Sequence, residues 1–231
     1  SLQTLVNDTV KWTTFLAPNG SDSAEFGADI AIGDFNNDGF DDILIGAPYD
    51  GDGPLSDTDE GAFHIIYGQS DLKINTYDGG DLYDEDDYGV SIQLSSVFSS
   101  NFDSEMGDSV AVGDFNGDGI DDIAVSSNEA GINEGNEGIV TIYLGQSFGD
   151  PREAVLINGN GSGSYMGFGQ GSLQNLGDIN GDGFDDLGIR DYDNNFFIVW
   201  GKSNWTADYD LNGDGIDDVK LIDASVQASL D

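Results

Sequence analysis

Residues 34–42 read Asp34-Phe35-Asn36-Asn37-Asp38-Gly39-Phe40-Asp41-Asp42, and the pattern returns as DFNGDGIDD at 114–122, DINGDGFDD at 178–186 and DLNGDGIDD at 210–218. Each copy sets side-chain oxygens at its first, third and fifth positions, a glycine at its sixth and another aspartate at its ninth. A chain wraps a hard cation in this way. Calcium takes roughly six to eight oxygens from carboxylates, amides and backbone carbonyls, and glycine permits the sharp turn. The predicted donors of the first site are Asp34, Asn36, Asp38, Asp42 and the carbonyl of Phe40. The second has Asp114, Asn116, Asp118, Ile120 (carbonyl) and Asp122; the third Asp178, Asn180, Asp182, Phe184 (carbonyl) and Asp186; the fourth Asp210, Asn212, Asp214, Ile216 (carbonyl) and Asp218. About four calcium ions are expected. The plain alternative is a turn rich in Asp, Asn and Gly, and four repetitions of one spacing argue against it.

These loops join strands, not helices. An EF-hand needs a bidentate Glu at its twelfth position and a helix after it. Here the twelfth residue is Ile45, Val125, Ile189 or Leu221, and the runs after each ninth position read ILIG, IAVS, LGIR and VKLI. Such short apolar runs between turns are strands. The eighth-position aspartates, Asp41, Asp121, Asp185 and Asp217, are expected to point away from the ion into solvent.

The repeat extends beyond the loop. Phe26–Gly33 and Met106–Gly113 alternate apolar with small or polar residues, as half-buried strands do. Third strands follow at Gly61–Gly68, Gly138–Gly145 and Phe196–Gly201, and fourth strands are expected near Leu72–Thr76 and Ala154–Ile157. A four-stranded antiparallel unit repeated along a chain is a β-propeller blade. The expected fold class is therefore all-β, a β-propeller-like array with calcium loops between strands 1 and 2. The domain reading is a single domain over 1–231, with repeats near 24–80, 103–158 and 164–202 and a partial one at 205–223. That is three blades and a half, fewer than the roughly four to eight that close a ring. The strands around Val10–Leu16 are expected to complete the last blade, unless the chain is part of a larger propeller or an open stack. Tyr88–Ile92 reads as a spare repeat start with no loop after it.

The order FG, then GD-x-N-x-DG-x-x-D, then Ile45-Gly46-Ala47-Pro48, then a strand ending Tyr67-Gly68 resembles the FG-GAP repeat of integrin α-subunit propellers and many secreted bacterial proteins. The resemblance covers roughly residues 24–223. The GAP element becomes Ser126-Ser127-Asn128 and Arg190-Asp191-Tyr192 in the later repeats, and Met106 replaces the phenylalanine of FG. In the third repeat Phe168-Gly169 sits two residues too far upstream for its role. The resemblance implies a calcium-binding propeller with ligand recognition on the face opposite the calcium loops. Strand parity puts the long connections 49–60, 75–88, 127–137 and 158–165 on that face, where binding usually lives.

Composition narrows the partners. Forty-five acidic residues against six basic give a formal charge of −39. Such a field repels nucleic acid and anionic lipid, and no apolar run is long enough to span a membrane. Without cysteine there is neither a disulfide framework nor thiol chemistry. Weak calcium sites fill outside the cell, so the chain is read as secreted, extracellular or at a cell surface. Its start, SLQTL, is read as that of a processed chain or an excised domain.

No catalytic residues are predicted. The one histidine, His64, reads as a packed strand residue, and nucleophile-elbow, Walker and zincin patterns are absent. Trp12, Trp200 and Trp205 read as core or as a sugar platform. The acidic runs Asp50, Asp52, Asp57, Asp59, Glu60 and Asp78, Asp81, Asp84, Glu85, Asp86, Asp87 read as solvated loops, or as sites for cations or a basic partner. Asn7, Asn19, Asn160 and Asn204 stand in glycosylation sequons. The expected role is a non-enzymatic adhesion or protein-interaction module with structural calcium, binding a protein or glycan at a cell surface or matrix. The alternatives are a carbohydrate-binding or scaffold part of a secreted polysaccharide-degrading enzyme, and a self-associating surface-layer or filament subunit.

Overall fold

Alternating side chains build three mainly antiparallel sheets, and each of the first three acidic nonapeptides turns one strand of a sheet into the next. The computed structural model describes residues 14–15, 25–50, 61–69, 76–77, 90–92, 104–131, 136–147, 149–159, 163–205, 209–210 and 219–222. The strands are β1 (Thr14–Phe15), β2 (Ile30–Gly33), β3 (Asp42–Ala47), β4 (Ala62–Ile66), β5 (Thr76–Tyr77), β6 (Val90–Ile92), β7 (Met106–Gly113) and β8 (Asp122–Ser127). They continue as β9 (Ile139–Leu144), β10 (Arg152–Asn158), β11 (Leu173–Asn175), β12 (Leu187–Arg190), β13 (Phe196–Val199), β14 (Tyr209–Asp210) and β15 (Val219–Ile222). No helix occurs among the described residues.

Sheet I runs β2-β3-β4-β6, sheet II β14-β10-β9-β8-β7 and sheet III β11-β12-β13-β15. They stack in chain order, because each strand divides its side chains between two neighbours. Val110, Ile123, Val125 and Tyr143 of sheet II pack with Phe35, Leu44, Phe63 and Ile65 of sheet I. The intervening positions Ala111, Ala124, Val140 and Ile142 pack with Leu187, Ile189, Phe197 and Val199 of sheet III. Each fully buried side chain of this size contributes about 1.5–3 kcal/mol. At one end the backbones of sheets I and II nearly touch. A Cβ on Gly107, which has φ 96°, would collide with the carbonyl of Ala62, so only glycine fits.

Four expectations are corrected. The fourth strand of sheet I is Val90–Ile92, which pairs antiparallel with β4 in the register Phe63↔Ile92. The segment read as a spare start thus finishes the first sheet. Thr76, placed in that fourth strand, instead pairs in parallel with Thr14, as Tyr77 does with Phe15. Thr14–Phe15 is thus paired with β5 and not with sheet III, and Phe15 packs against Ile45 and Ile66 of sheet I; the rest of the stretch expected to complete the last blade, residues 10–13 and 16, lies outside the described residues.

The third FG element is Met166-Gly167, not Phe168-Gly169. A non-glycine residue of left-handed φ precedes each true FG position: Glu25 (49°), Glu105 (48°) and Tyr165 (44°). Gly61 bridges to Met106, and a Cβ on Gly138 would meet the Met166 backbone in the same way. Finally, the fourth nonapeptide joins no first and second strand of a repeat. It leaves β14, which pairs in parallel with β10 of sheet II, and enters β15, which pairs antiparallel with β13 of sheet III.

Candidate metal centres

Each of the three described nonapeptides curls around its first aspartate. In the second loop Asp114 Oδ1 accepts the N–H groups of Gly117 (2.7 Å) and Asp118 (3.0 Å), and Oδ2 that of Gly119 (2.9 Å). Asp34 receives Asp38 and Gly39, and Asp178 receives Gly181, Asp182 and Gly183, in the same manner. The turn requires left-handed backbone at positions four and six. Asn37, Gly117 and Gly181 (57°, 74°, 81°) serve the first, and Gly39, Gly119 and Gly183 (88°, 85°, 96°) the second. The glycine at six was legible in the sequence. The need at four was not, and Asn37 meets it because asparagine tolerates this region.

The third and fifth side chains meet above that turn. The Asn Nδ2 donates to the Asp Oδ2 in all three loops, at 3.1 Å for Asn36–Asp38, 3.1 Å for Asn116–Asp118 and 2.9 Å for Asn180–Asp182. The ninth aspartate is the buried floor. Asp42 accepts from the N–H of Phe35 (3.0 Å) and Gly68 (2.8 Å), Asp122 from Asn116 (3.1 Å) and Gly145 (2.9 Å), and Asp186 from Ile179 (3.1 Å) and Gly201 (3.0 Å). Burial pushes the Asp42 carboxyl up to about 6 and that of Asp122 to about 8, against the pull of these N–H donors, and the first and fifth aspartates crowd both further. Burial raises Asp186 as well.

The donor set is all oxygen and rich in carboxylate, which fits a hard divalent cation. Among the described residues, however, no three carboxylate or imidazole groups stand together as a ready-made clasp. The reason is visible in the hydrogen bonds: the first aspartate faces loop N–H groups, and Nδ2 of the asparagine lies against the fifth. A cation would take that place once the amide turned its oxygen inward. Asp210 lies in β14, and Asn212, Asp214, Ile216, Asp218 and the eighth-position Asp217 fall outside the described residues.

The eighth-position aspartates are not all solvated. Asp41 is exposed, but Asp121 Oδ2 accepts the N–H of Asp34 across sheets at 2.8 Å, and Asp185 Oδ2 that of Asp114 at 3.2 Å. Burial raises the Asp121 carboxyl, and the Asp34 N–H offsets this in part. Neighbouring loops are thus interlocked at one end of the stack. A carboxylate in every repeat beyond the predicted donor set was the signal that would have found this.

His64 is buried in β4, as expected, with Nε2 3.0 Å from Asp50 Oδ2. Asp50 is therefore a buried partner, not part of a solvated loop, and the other acidic-run residues lie outside the described ones. Trp205 is core, with Nε1 donating to Phe115 O at 3.3 Å; Trp200 is half-buried, and Trp12 falls outside the described residues. Of the sequons, Asn204 is exposed and the others lie outside. At the end opposite the loops, sequence reading missed a surface cluster of Tyr165, Phe168 and Tyr192, with ring centroids 5.3–6.3 Å apart. Phe168 and Tyr192 are exposed.

These features define an all-β repeat protein in which an acidic nonapeptide joins the first two strands of each antiparallel sheet. The model of the FG-GAP repeat matches residues 26–66 and 106–143, and the chain carries FG-GAP repeats. It is similar to integrin alpha-2 of Bos taurus (29% identity over 161 residues, 69% of this chain and 12% of that protein) and integrin alpha-4 of Xenopus laevis (31% over 168 residues, 71% and 14%). It is also similar to phosphatidylinositol-glycan-specific phospholipase D of Bos taurus (32% over 160 residues, 68% and 17%). The chain spans less than a fifth of the length of each of these relatives. No helix among the described residues is long and apolar enough to cross a membrane.

Proposed function

We propose that this chain is an extracellular or cell-surface interaction module, non-enzymatic, whose acidic loops bind calcium as a structural ion and whose opposite end binds a protein ligand. One observation carries the reading: the two ends have opposite characters. At one end the loops are spent on each other, through Asp121 on Asp34 and Asp185 on Asp114. At the other, exposed aromatic rings cluster on the turns beside β11 and β12, the kind of anchor that interfaces favour. The likeness to integrin α-subunits supports an adhesive role, with an extracellular ligand.

The test has two arms. Chelation lowers Tm by many degrees, since a ligand at a thousandfold excess over its Kd adds ~4 kcal/mol to the folded state. An unchanged melting curve after verified metal removal ends the calcium reading. Phe168→Ala with Tyr192→Ala reduces adhesion to cells or matrix at unchanged Tm, and adhesion that survives this pair places the ligand elsewhere. The phospholipase D relatives favour a second reading, a scaffold accompanying a catalytic domain. It predicts no adhesion by the isolated chain.

A further inference from the structure

The contacts between neighbouring sheets run through the acidic loops themselves. In the second loop the eighth residue, Asp121, stands between two predicted donors, the carbonyl of Ile120 and the carboxylate of Asp122. Its Oδ2 accepts the N–H of Asp34, the first donor of the first loop, at 2.8 Å. Asp34 in turn spends its carboxylate on the N–H groups of Asp38 and Gly39. The residue that the second loop holds is therefore the one around which the first loop is wound.

The third loop grips the second in the same way, and more fully. Asp185 stands between the donors Phe184 and Asp186. It accepts the Asp114 N–H at 3.2 Å and returns its own N–H to the Asp114 carbonyl at 3.0 Å. Asn175 Nδ2, at 2.8 Å, steadies the Asp185 carboxylate. Backbone contacts beside the loops keep both joints closed: Gln146 donates to the Phe35 carbonyl at 3.0 Å and Lys202 to that of Phe115 at 2.9 Å. Gln146 and Lys202 lie outside the nonapeptides, so they set the spacing of the sheets. Asp121 and Asp185 lie inside them, each flanked on both sides by residues that would hold the ion.

We propose that Asp121 and Asp185 are positioning residues that couple the calcium sites of the first three loops, so that an ion in one loop raises the affinity of the loop beside it. The inference rests on the calcium reading above. An ion held by the Ile120 carbonyl and Asp122 fixes the segment that carries Asp121. Asp121 then presents the first loop with its opening aspartate already in place. Linkage makes the effect mutual, and couplings of this kind are roughly 5–150-fold. Charge works in the other direction. An emptied loop is more negative than a filled one, so electrostatics alone would tighten the neighbour of a vacated site. The hydrogen-bonded joint loosens it, and the sign of the effect tells the two apart.

The experiment is a calcium titration of the full chain in metal-buffered solution, followed by NMR at the amides of Gly39, Gly119 and Gly183. These are the sixth residues of the loops, and their N–H groups donate to the first aspartates. Emptying the second loop with Asp118→Ala is expected to weaken calcium binding at Gly39, and at Gly183, at least about fivefold. If Tm shows that variant to be unfolded, the milder Asp118→Asn takes its place. In an Asp121→Ala background the effect at Gly39 falls below about twofold, the scatter of independent sites, while that at Gly183 remains. Asp121→Asn removes the same charge but keeps an oxygen for the Asp34 N–H, so it restores the coupling. A general loosening of the fold would instead weaken all three loops alike. The proposal is overturned if emptying the second loop leaves Gly39 unchanged or tighter, if the coupling survives Asp121→Ala, or if Asp121→Asn fails to restore it. Glycine amides that ignore calcium in every loop end the calcium reading, and this inference with it.

Discussion

The carboxylate of Asp121 accepts the backbone N–H of Asp34 at 2.8 Å, so the aspartate that opens one acidic loop is held by the eighth residue of the next. The contact leaves that N–H without an acceptor if the carboxylate is removed, and an unsatisfied, partly buried donor costs about 1–3 kcal/mol. Asp121→Ala is therefore destabilising by that order in chemical denaturation. Asp41→Ala, at the exposed equivalent in sheet I, stays within about 0.5 kcal/mol in dilute solution. Equal effects at the two positions would show that the clasp carries nothing.

A backbone contact makes a sharper prediction. Gly107→Ala places a methyl against the carbonyl of Ala62 at a left-handed φ of 96°. Neither the backbone nor the glycine conformation can yield cheaply, so the loss is roughly 2–4 kcal/mol. Gly119→Ala has a similar φ of 85° but open space around the added carbon, and loses only the conformational part. A thermal melt of each variant separates the two.

In chelator, stability falls as pH rises. Folding raises the carboxyls of Asp42 to about 6 and Asp122 to about 8 from the ordinary aspartate value of 3.8. A carboxyl raised in the folded state binds its proton more tightly there, so its contribution is full below the unfolded value and is lost through the folded one. The window is about pH 4 to 8. Calcium, which requires the carboxylate form, reverses the slope over the same range. Denaturation series at several pH values, with EDTA and with calcium, read this directly, and a rise in stability with pH in EDTA contradicts it.

The loops are predicted to be unequal. The second is clasped on both sides, with Asp121 holding the first loop and Asp114 held by Asp185. The fourth runs between β14 and β15 and follows no first strand of its own. Asp118→Ala thus lowers Tm more than Asp214→Ala, while each removes one ion by metal analysis. The reverse order would mean that the strap between sheets II and III matters more than the interlocked loops.

What the sequence disclosed and what it hid divide along the range of the interactions. Strands such as Val110–Gly113 and Asp122–Ser127 are written in local alternation, and the turn between them in local hydrogen bonding, so both could be read by inspection. The partner of Val90–Ile92 is chosen across the width of a sheet, and nothing in three residues says which edge they will cover. Likewise Met166-Gly167 is concealed by its spacing, twelve residues before Asp178 where Phe26 and Met106 stand eight before their loops. The marker that identifies it is the left-handed φ of Tyr165 (44°), a backbone property that Glu25 and Glu105 share with it despite their different side chains. Asp121 and Asp185 depart from the expected solvation for the same reason: their acceptor role exists only once two loops are side by side.

The path of the chain after Trp205 has a consequence for how such a protein can change over generations. β14 edges sheet II and β15 edges sheet III, so the last written motif belongs to no single repeat. A row of repeats invites the view of interchangeable cassettes, each free to be duplicated, shuffled or deleted at its written boundary. Here a recombination point at residue 205 would strip an outer strand from two sheets at once. A piece exchanged intact would have to carry both edge strands with it, since a cut at that boundary leaves two sheets incomplete.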